Sequence, residues 1–229
     1  MKVFCIDSAS AAGSAALWCD GEVLFESYKN EGLTHSQTLM LRCDEVFAAT
    51  GTAPADVDVF AVTAGPGSFT GLRIGIGTVK GMAFAAGKPC CAVTSFEALA
   101  EAAKTQADTT ILTVLDARQK RVYCAAFRVE NGIPVQVMED SLLPIAQLEE
   151  ALREAGIVCP YVVGDAAEAV CAALGENAVL SDETHRDIHA AAAACAAARK
   201  AQAGGLCSAS QLRPGYLQLS QAERNLQKS

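Results

Sequence analysis

The pattern of hydrophobic and polar positions predicts the same order of elements twice along the chain. In each half, three strands are followed by a helix, a strand and a further helix. The predicted elements of the first half are strands at 2–7, 14–19, 22–28, 57–62 and 90–93 and helices at 36–49, 68–85 and 95–104. Those of the second half are strands at 111–115, 121–129, 133–138 and 161–163 and helices at 144–155, 166–174 and 184–203.

This repeated order indicates an α/β protein with two similar lobes, each built on a mixed sheet covered by helices. We predict an N-terminal lobe over 1–106, which carries a glycine-rich helix and a partner face, and a C-terminal lobe with the tail over 107–229. The order resembles the actin-like ATPase superfamily, which includes sugar kinases, Hsp70 and actin. That resemblance implies a cleft between the lobes that normally binds ATP.

The segment that follows the strand at 57–62 is rich in glycine. A glycine inside a helix costs about 1 kcal/mol relative to alanine, so some other contact must require these residues. One explanation is a phosphate site, in which Gly65 and Gly67 shape the backbone ahead of a helix N-terminus, together with Ser68 and Thr70. The other is close packing of neighbouring backbones against two glycine stripes. The stripes are Gly71 with Gly75 and Gly77 with Gly81.

The order of residues in this segment favours packing. It contains neither the Gly-Lys-Ser/Thr ending of a Walker loop nor the G-x-G-x-x-G order of a dinucleotide-binding fold. We therefore expect one stripe to face the sheet and the other to face a partner helix. The spacing allows either stripe to take either role.

Three turns that hold nucleotide in actin-like ATPases depart from that pattern. Asp7 and Asp116 each end a strand, but neither is followed by glycine. The turn after the strand at 161–163 is Gly164-Asp165, where the superfamily has two glycines. We expect a degraded nucleotide site, in which Asp7 is the remaining candidate to contact phosphate through magnesium and water.

Composition excludes several classes of function. The formal net charge of −8 argues against a protein that grips RNA by itself, because clustered Lys and Arg supply that affinity. The chain opens on an apolar strand rather than a signal peptide, and its ten cysteines lack Cys-x-x-Cys spacing. We therefore expect a cytoplasmic protein with reduced cysteines. No apolar run reaches the roughly 18 residues of a membrane span.

The cysteines are predicted to act mostly as small core residues. Because successive strand side chains point to opposite faces, Cys90 and Cys91 cannot enter the same core, and we expect one of them to be exposed. Four others fall in apolar, strand-like runs and are predicted to be buried. They are Cys5, Cys19, Cys124 and Cys159.

The histidines offer a metal site as an alternative. His185 and His189 are four residues apart in the last predicted helix, a spacing that can chelate zinc. Thr184 and Asp187 form a capping-box pattern at the start of that helix, and no third ligand accompanies the histidines. We predict no metal site. His35 precedes a helix start, where capping explains it.

The string AGPGSFTGLRIG at 64–75 is the longest of several highly specific segments. With these segments the chain resembles the TsaB family, also called YeaZ. Family members often carry Glu where Arg121 stands and Arg where Gln218 stands, so contacts through those two positions are not carried over. The other matching segments are IDS at 6–8, HSQ-x-L at 35–39, TSFEAL at 94–99, DAR at 116–118, PGYL at 214–217 and AE at 222–223.

This resemblance implies a non-catalytic subunit that pairs with the TsaD transferase and works with TsaE and TsaC to form threonylcarbamoyladenosine beside the anticodon of tRNA. It implies that TsaD holds the metal and performs the transfer. It also implies that this chain binds no cofactor alone, that ATP or ADP lies at the junction with partners, that tRNA is contacted indirectly, and that the chain forms a homodimer when alone. The implied partner face lies on the helices at 36–49 and 68–85. Its residues are Ser36, Leu39, Met40, Cys43, Phe47, Gly71, Leu72, Gly75, Ile76 and Val79.

Three other functions stay open on the residues alone. An autonomous actin-fold kinase or ATPase would use Asp7 and Asp116, and a metallopeptidase would use His185 and His189. The third is a homodimeric regulator that acts without TsaD. Activity of the isolated chain, lost on substitution of Asp7 or His189, would favour the enzymes.

Overall fold

The N-terminal lobe is built on a five-stranded mixed sheet. The computed structural model describes residues 1–30, 34–105 and 110–217. The strands are β1 (Lys2–Asp7), β2 (Gly13–Cys19), β3 (Glu22–Lys29), β4 (Val59–Thr63) and β5 (Cys90–Val93). Their order is β3-β2-β1-β4-β5, with an antiparallel meander of the first three strands and parallel pairing of β1, β4 and β5. The helices are α1 (His35–Thr50), α2 (Phe69–Ala86) and α3 (Ser95–Ala102).

The C-terminal lobe repeats this plan. Its strands are β6 (Thr110–Asp116), β7 (Arg121–Glu130), β8 (Ile133–Pro144), β9 (Tyr161–Val163) and β10 (Val179–Leu180). Their order is β10-β9-β6-β7-β8. Strands β6, β7 and β8 are antiparallel, while β6, β9 and β10 are parallel. The helices are α4 (Leu148–Glu154), α5 (Ala167–Leu174) and α6 (Ala190–Gln202). The predicted duplication into two mixed sheets is confirmed.

Three buried clusters arrange the elements in layers. Helices α3 and α6 lie between the two sheets and share one core with both of them. Helices α1 and α2 cover the opposite face of the first sheet, and α4 and α5 cover the outer face of the second. Because α6 packs on the first sheet, the two halves of the sequence interleave in space. The predicted boundary at 106/107 lies outside the described residues and stays a prediction.

The last helix begins later than its sequence pattern predicts. A 3₁₀ turn spans Glu183–His185, and α6 begins at Ala190 with His189 as its N-cap. The Ser14 hydroxyl accepts from the Ala190 N–H at 2.9 Å, and the Glu26 carboxylate accepts from the Ala191 N–H at 3.0 Å. The first lobe therefore caps α6, and the predicted capping box within 184–187 is wrong.

Smaller differences occur at other element ends. Thr94, rather than Ser95, caps α3 in a capping box with Glu97. A 3₁₀ turn precedes β4 at Pro54–Asp56, so that strand starts two residues late. Strand β8 continues to Pro144, the residue at which the helix over 144–155 was predicted to begin. The short edge strand β10 was not predicted.

Both faces of β5 are covered, which corrects one expectation for the cysteines. Cys90 and Cys91 do point to opposite sides, but both are fully buried. Cys91 faces α6, where its Sγ lies 3.8 Å from the Ala197 carbonyl oxygen. Cys159 is exposed in a loop and Cys19 is half-buried, so their predicted burial was wrong.

Across residues 1–30, 34–105 and 110–217, no helix combines the length and apolar character needed to cross a bilayer.

Candidate functional site

The two glycine stripes of α2 face opposite ways. A Cβ added to Gly71 would lie 2.0 Å from the Ser8 carbonyl oxygen, and one added to Gly75 would lie 2.3 Å from the Ser8 hydroxyl oxygen. A Cβ added to Gly77 or Gly81 would meet no atom within 4 Å. The first stripe therefore seats α2 against the end of β1, and the second faces outward.

This asymmetry predicts opposite effects of two glycine-to-alanine changes. Gly81→Ala should raise the free energy of unfolding by about 1 kcal/mol, because alanine is the better helix former and the site is open. Gly71→Ala should lower it by about 1 to 3 kcal/mol or more, because its Cβ collides with backbone. Urea denaturation followed by circular dichroism measures both. Equal effects of the two changes would contradict the assigned orientation of α2.

Most of the residues predicted for the partner face are buried within the fold of the chain itself. Each of seven exposes less than a tenth of its surface, so the assignment of these side chains as direct contacts is corrected. They are Leu39, Cys43, Gly71, Leu72, Gly75, Ile76 and Val79. Of the remaining three, Ser36 and Met40 are exposed, and Phe47 is half-buried and stacks on Phe4 with ring centroids 4.5 Å apart.

The outer surface of α1 and α2 nevertheless carries apolar side chains and bare backbone. Met40 and Leu41 on α1 are 51% and 54% exposed, and Phe84 on α2 is 83% exposed. Gly77 and Gly81 lie exposed along the same side of α2 as Phe84. We call these five residues the outer helical face. Leu41, Phe84, Gly77 and Gly81 were missing from the predicted set, although the apolar pattern of α1 is wider than one buried face requires.

A cleft of about 640 Å³ separates the lobes where an actin-like ATPase would hold nucleotide. The backbone of the chain itself occupies much of the predicted phosphate cradle. The Ser68 N–H donates to the Ala9 carbonyl at 2.7 Å, and a Cβ on Gly67 would lie 2.3 Å from the same oxygen. A Cβ on Gly65 would lie 2.6 Å from the Gly215 carbonyl oxygen. Gly65 and Gly67 therefore allow close packing of the backbone, and the Ser68 N–H is already hydrogen-bonded within the chain. Thr70 lies exposed at the rim of the cleft.

Asp7 lies below the cleft rather than in its lining. Its side chain is fully buried, and Oδ1 accepts from the Thr63 hydroxyl and, at 3.3 Å, from the Ala9 N–H. Oδ2 is buried without a hydrogen-bond partner. Burial raises the pKa of Asp7 to about 7. Asp7 therefore does not line the cleft in this conformation, and its contact with nucleotide through magnesium and water stays a prediction.

The corresponding turn of the second lobe is closed by its own hydrogen bonds. The Asp116 carboxylate accepts from the Arg118 N–H at 2.8 Å, and the Asp116 N–H donates to the Asp165 carboxylate at 2.8 Å. The pKa of Asp165 is raised to about 6, mainly because burial removes water from its carboxyl group. The negative charge of Asp116 is a smaller cause of the same rise. Arg118, Gln119 and Lys120 all have positive φ, at 62°, 57° and 56°. This turn is therefore built from three non-glycine residues in the left-handed conformation, which non-glycine residues seldom adopt.

The C-terminal tail closes one rim of the cleft. The Gly215 N–H donates to the Ala64 carbonyl at 2.7 Å. Tyr216 stacks on Phe69 with centroids 5.0 Å apart, and Arg73 lies 3.8 Å above the same Phe69 ring. The Arg73 Nε donates to the Tyr216 hydroxyl at 3.2 Å. This contact fixes the tail on the first turns of α2; the predicted tail positions Gln218, Ala222 and Glu223 lie outside the described residues.

The histidines do not form a metal pair. His189 stacks on Tyr28 with centroids 4.5 Å apart, and its Nδ1 lies 3.0 Å from the Glu26 carboxylate, which raises the pKa of His189. His185 lies in the separate 3₁₀ turn and packs edge-on against Tyr161. The described residues contain no group of three or more His, Cys, Asp or Glu side chains placed to hold a metal. His35 contacts the Ser10 carbonyl through Nε2 at 2.8 Å rather than capping α1.

Comparison with known proteins identifies the family. The model of the family described as TsaD, tRNA N6-adenosine threonylcarbamoyltransferase, matches residues 32–225. The tRNA threonylcarbamoyladenosine biosynthesis protein TsaB of Escherichia coli is 39% identical over 137 residues, which cover 58% of each chain. The protein of the same name from Bacillus subtilis is 31% identical over 154 residues, which cover 67% of each chain. The match thus spans between just over half and two thirds of the length of these curated relatives.

The fold comparison covers almost the whole chain. The solved structure of YeaZ from Pseudomonas aeruginosa superposes with a TM-score of 0.81 at 26% identity, covering 94% of this chain and 99% of that one. The predicted actin-like fold with two similar lobes is confirmed. The resemblance first seen in the sequence motifs is confirmed as well: this chain belongs to the TsaB family, also called YeaZ.

Proposed function

We propose that this chain is a non-catalytic subunit in the synthesis of threonylcarbamoyladenosine in tRNA, and that it docks on TsaD through the outer helical face. The curated relatives carry the name of that biosynthesis, and the matching family model is named for the transferase. The observation that carries the docking surface is the orientation of α2. Gly71 and Gly75 pack closely against Ser8 inside the chain, whereas Gly77 and Gly81 leave exposed backbone beside Phe84.

The chemistry of this surface fits a helical partner. Glycines on a helix exterior let a second helix approach closely, and exposed Met and Phe side chains then provide apolar contact area. Phe84 at 83% exposure, with Met40 and Leu41 on the neighbouring helix, forms the type of apolar patch that marks protein–protein interfaces. The same face would join two copies when TsaD is absent.

The state of the cleft supports a non-catalytic role. An actin-like ATPase needs an ionised carboxylate and free backbone amides at the phosphates, and here Asp7 is buried and the Ser68 amide is engaged. The chain alone accordingly binds no cofactor in this proposal, and ATP or ADP lies at the junction with partners. TsaE and TsaC complete the system.

The charge of the chain supports contact with tRNA through other subunits. A net charge of −8 disfavours phosphate contacts, which draw their affinity from Lys and Arg. In this proposal tRNA is reached through TsaD and the chain acts as a scaffold.

Size-exclusion chromatography with light scattering tests the pairing. The chain mixed with TsaD from the same source should give a stable heterodimer in place of the homodimer formed alone. Absence of a complex across a range of salt and nucleotide concentrations would overturn the proposal. In that case the family relationship would describe the fold without this partner.

A further inference from the structure

The negative charge of this protein is concentrated on one side of the C-terminal lobe. Residues 145–183 contain eight acidic side chains and one arginine, a formal net charge of −7 against −8 for the whole chain. That arginine, Arg153, is paired with Glu150 at 3.4 Å on α4. Most of these residues lie on α4, α5 and the edge strand β10, on the far side of the second sheet from α1 and α2. Two of the eight carboxylates add little to this face, because Asp165 lines the cleft and Glu168 is paired with Arg186 at 2.5 Å.

An apolar groove of about 270 Å³ lies within this acidic region. It runs between the C-terminal ends of α4 and α5, with Leu152, Ile157 and Leu174 among its lining residues. At its edge, Val158 is 87% exposed, and Glu149 also lines the groove. Leu152, Ile157 and Leu174 are only 4%, 6% and 6% exposed and form the floor of the groove, whereas Val158 is open to water at its edge.

The neighbouring sheet edge extends the apolar area. Val179 and Leu180 of β10 are 46% and 42% exposed. The Val179 N–H donates to the Pro160 carbonyl at 2.9 Å, which ties β10 to the loop that carries Val158. A solvated acidic surface needs no such group of exposed aliphatic residues, whereas an interaction surface does.

We propose that this groove binds a cationic amphipathic segment of another polypeptide, with an aliphatic side chain in the groove and Lys or Arg side chains against the acidic rim. The charge complementarity selects the occupant, because a field of this sign attracts cations and speeds their association. RNA and a second copy of this acidic chain are repelled by the same field. The surface is separate from the outer helical face, so the proposal goes beyond docking on TsaD.

Cys159 provides a direct reporter of occupancy. It lines the groove and is exposed, whereas the other cysteines within the described residues are buried or half-buried. The probe is a 14-residue peptide of Leu and Lys with helical amphipathic spacing, compared with a Ser/Lys peptide of the same charge. Affinity is measured by calorimetry, and the rate of maleimide alkylation at Cys159 is followed by peptide mass mapping.

The Leu/Lys peptide should bind and slow Cys159 alkylation at least tenfold. Val158→Asn should weaken binding at least tenfold, as should the triple change Glu149→Gln, Glu154→Gln and Glu176→Gln. The control Glu22→Gln with Asp56→Asn, which removes exposed charges from the other lobe, should change affinity less than twofold.

Three results would overturn the proposal. Equal binding of the Ser/Lys peptide would show attraction to the acidic field without use of the groove. Unchanged alkylation of Cys159 in the presence of bound Leu/Lys peptide would place the peptide elsewhere. Self-association of the chain that is lost in Val158→Asn would assign the groove to a second copy.

Discussion

Replacing Gly77 and Gly81 together by leucine should abolish the complex with TsaD while leaving the chain folded. Both positions are open to solvent, so two leucines add no clash within the chain and remove two helix-weakening glycines. The same side chains would hold a partner helix several ångströms further away, and the lost contact area should weaken binding by a factor of about 100 or more. Light scattering of mixtures with TsaD measures the loss.

Two control variants separate surface from fold. Gly77→Ala with Gly81→Ala should stabilise the chain and weaken the complex far less than the leucine pair. Gly75→Leu is unsuitable as a test, because a Cβ on Gly75 already lies 2.3 Å from the Ser8 hydroxyl oxygen, so its effect on binding would reflect misfolding. Undiminished association of the Gly77→Leu, Gly81→Leu chain would exclude the outer helical face as the docking surface.

Asp7→Asn should stabilise the protein at neutral and alkaline pH. Burial raises the folded-state pKa of Asp7 from 3.8 to about 7, so the folded state binds a proton more tightly than the unfolded state. The contribution of the Asp7 carboxyl to the free energy of unfolding is therefore fully present at low pH and is lost as pH rises from about 4 to 7. Above pH 7 the cost reaches about 4 kcal/mol, and an amide that cannot ionise avoids it.

Urea denaturation at pH 4, 5.5 and 8 tests this expectation. The gain in stability from Asp7→Asn should be small at pH 4, grow by pH 5.5 and be largest at pH 8. Asp44→Asn, on the exposed side of α1, controls for removal of one negative charge. A destabilised Asp7→Asn protein at pH 8 would mean that the ionised carboxylate has a stabilising partner in the fold.

Local sequence patterns were sufficient for the elements that make up both sheets. The β1–β3 meander is built from short apolar runs, and β2 and β3 are joined by the Asp20-Gly21 turn, so these elements follow from residues close in the chain. The start of α6 could not be predicted in this way. Its N-terminus is fixed by Ser14 and Glu26, which are more than 160 residues away.

The candidate surface was predicted at the level of helices but not of residues. The spacing of Gly71, Gly75, Gly77 and Gly81 shows two stripes, yet only the fold reveals that Ser8 occupies the first. The burial of Asp7 was hidden for a similar reason. A carboxylate at a strand end is expected to reach solvent, and the backbone at Ala9 and the hydroxyl of Thr63 enclose it only after the lobe has formed.

The scaffold role is tested most directly by measuring the formation of threonylcarbamoyladenosine on tRNA in a reconstituted reaction. The reaction contains TsaD, TsaE and TsaC, together with this chain or one of its variants. We predict that modification requires the chain, falls to background with Gly77→Leu and Gly81→Leu, and persists with Asp7→Asn. Loss of modification with Asp7→Asn while the complex with TsaD stays intact would contradict the account, since it would give the chain a chemical role of its own.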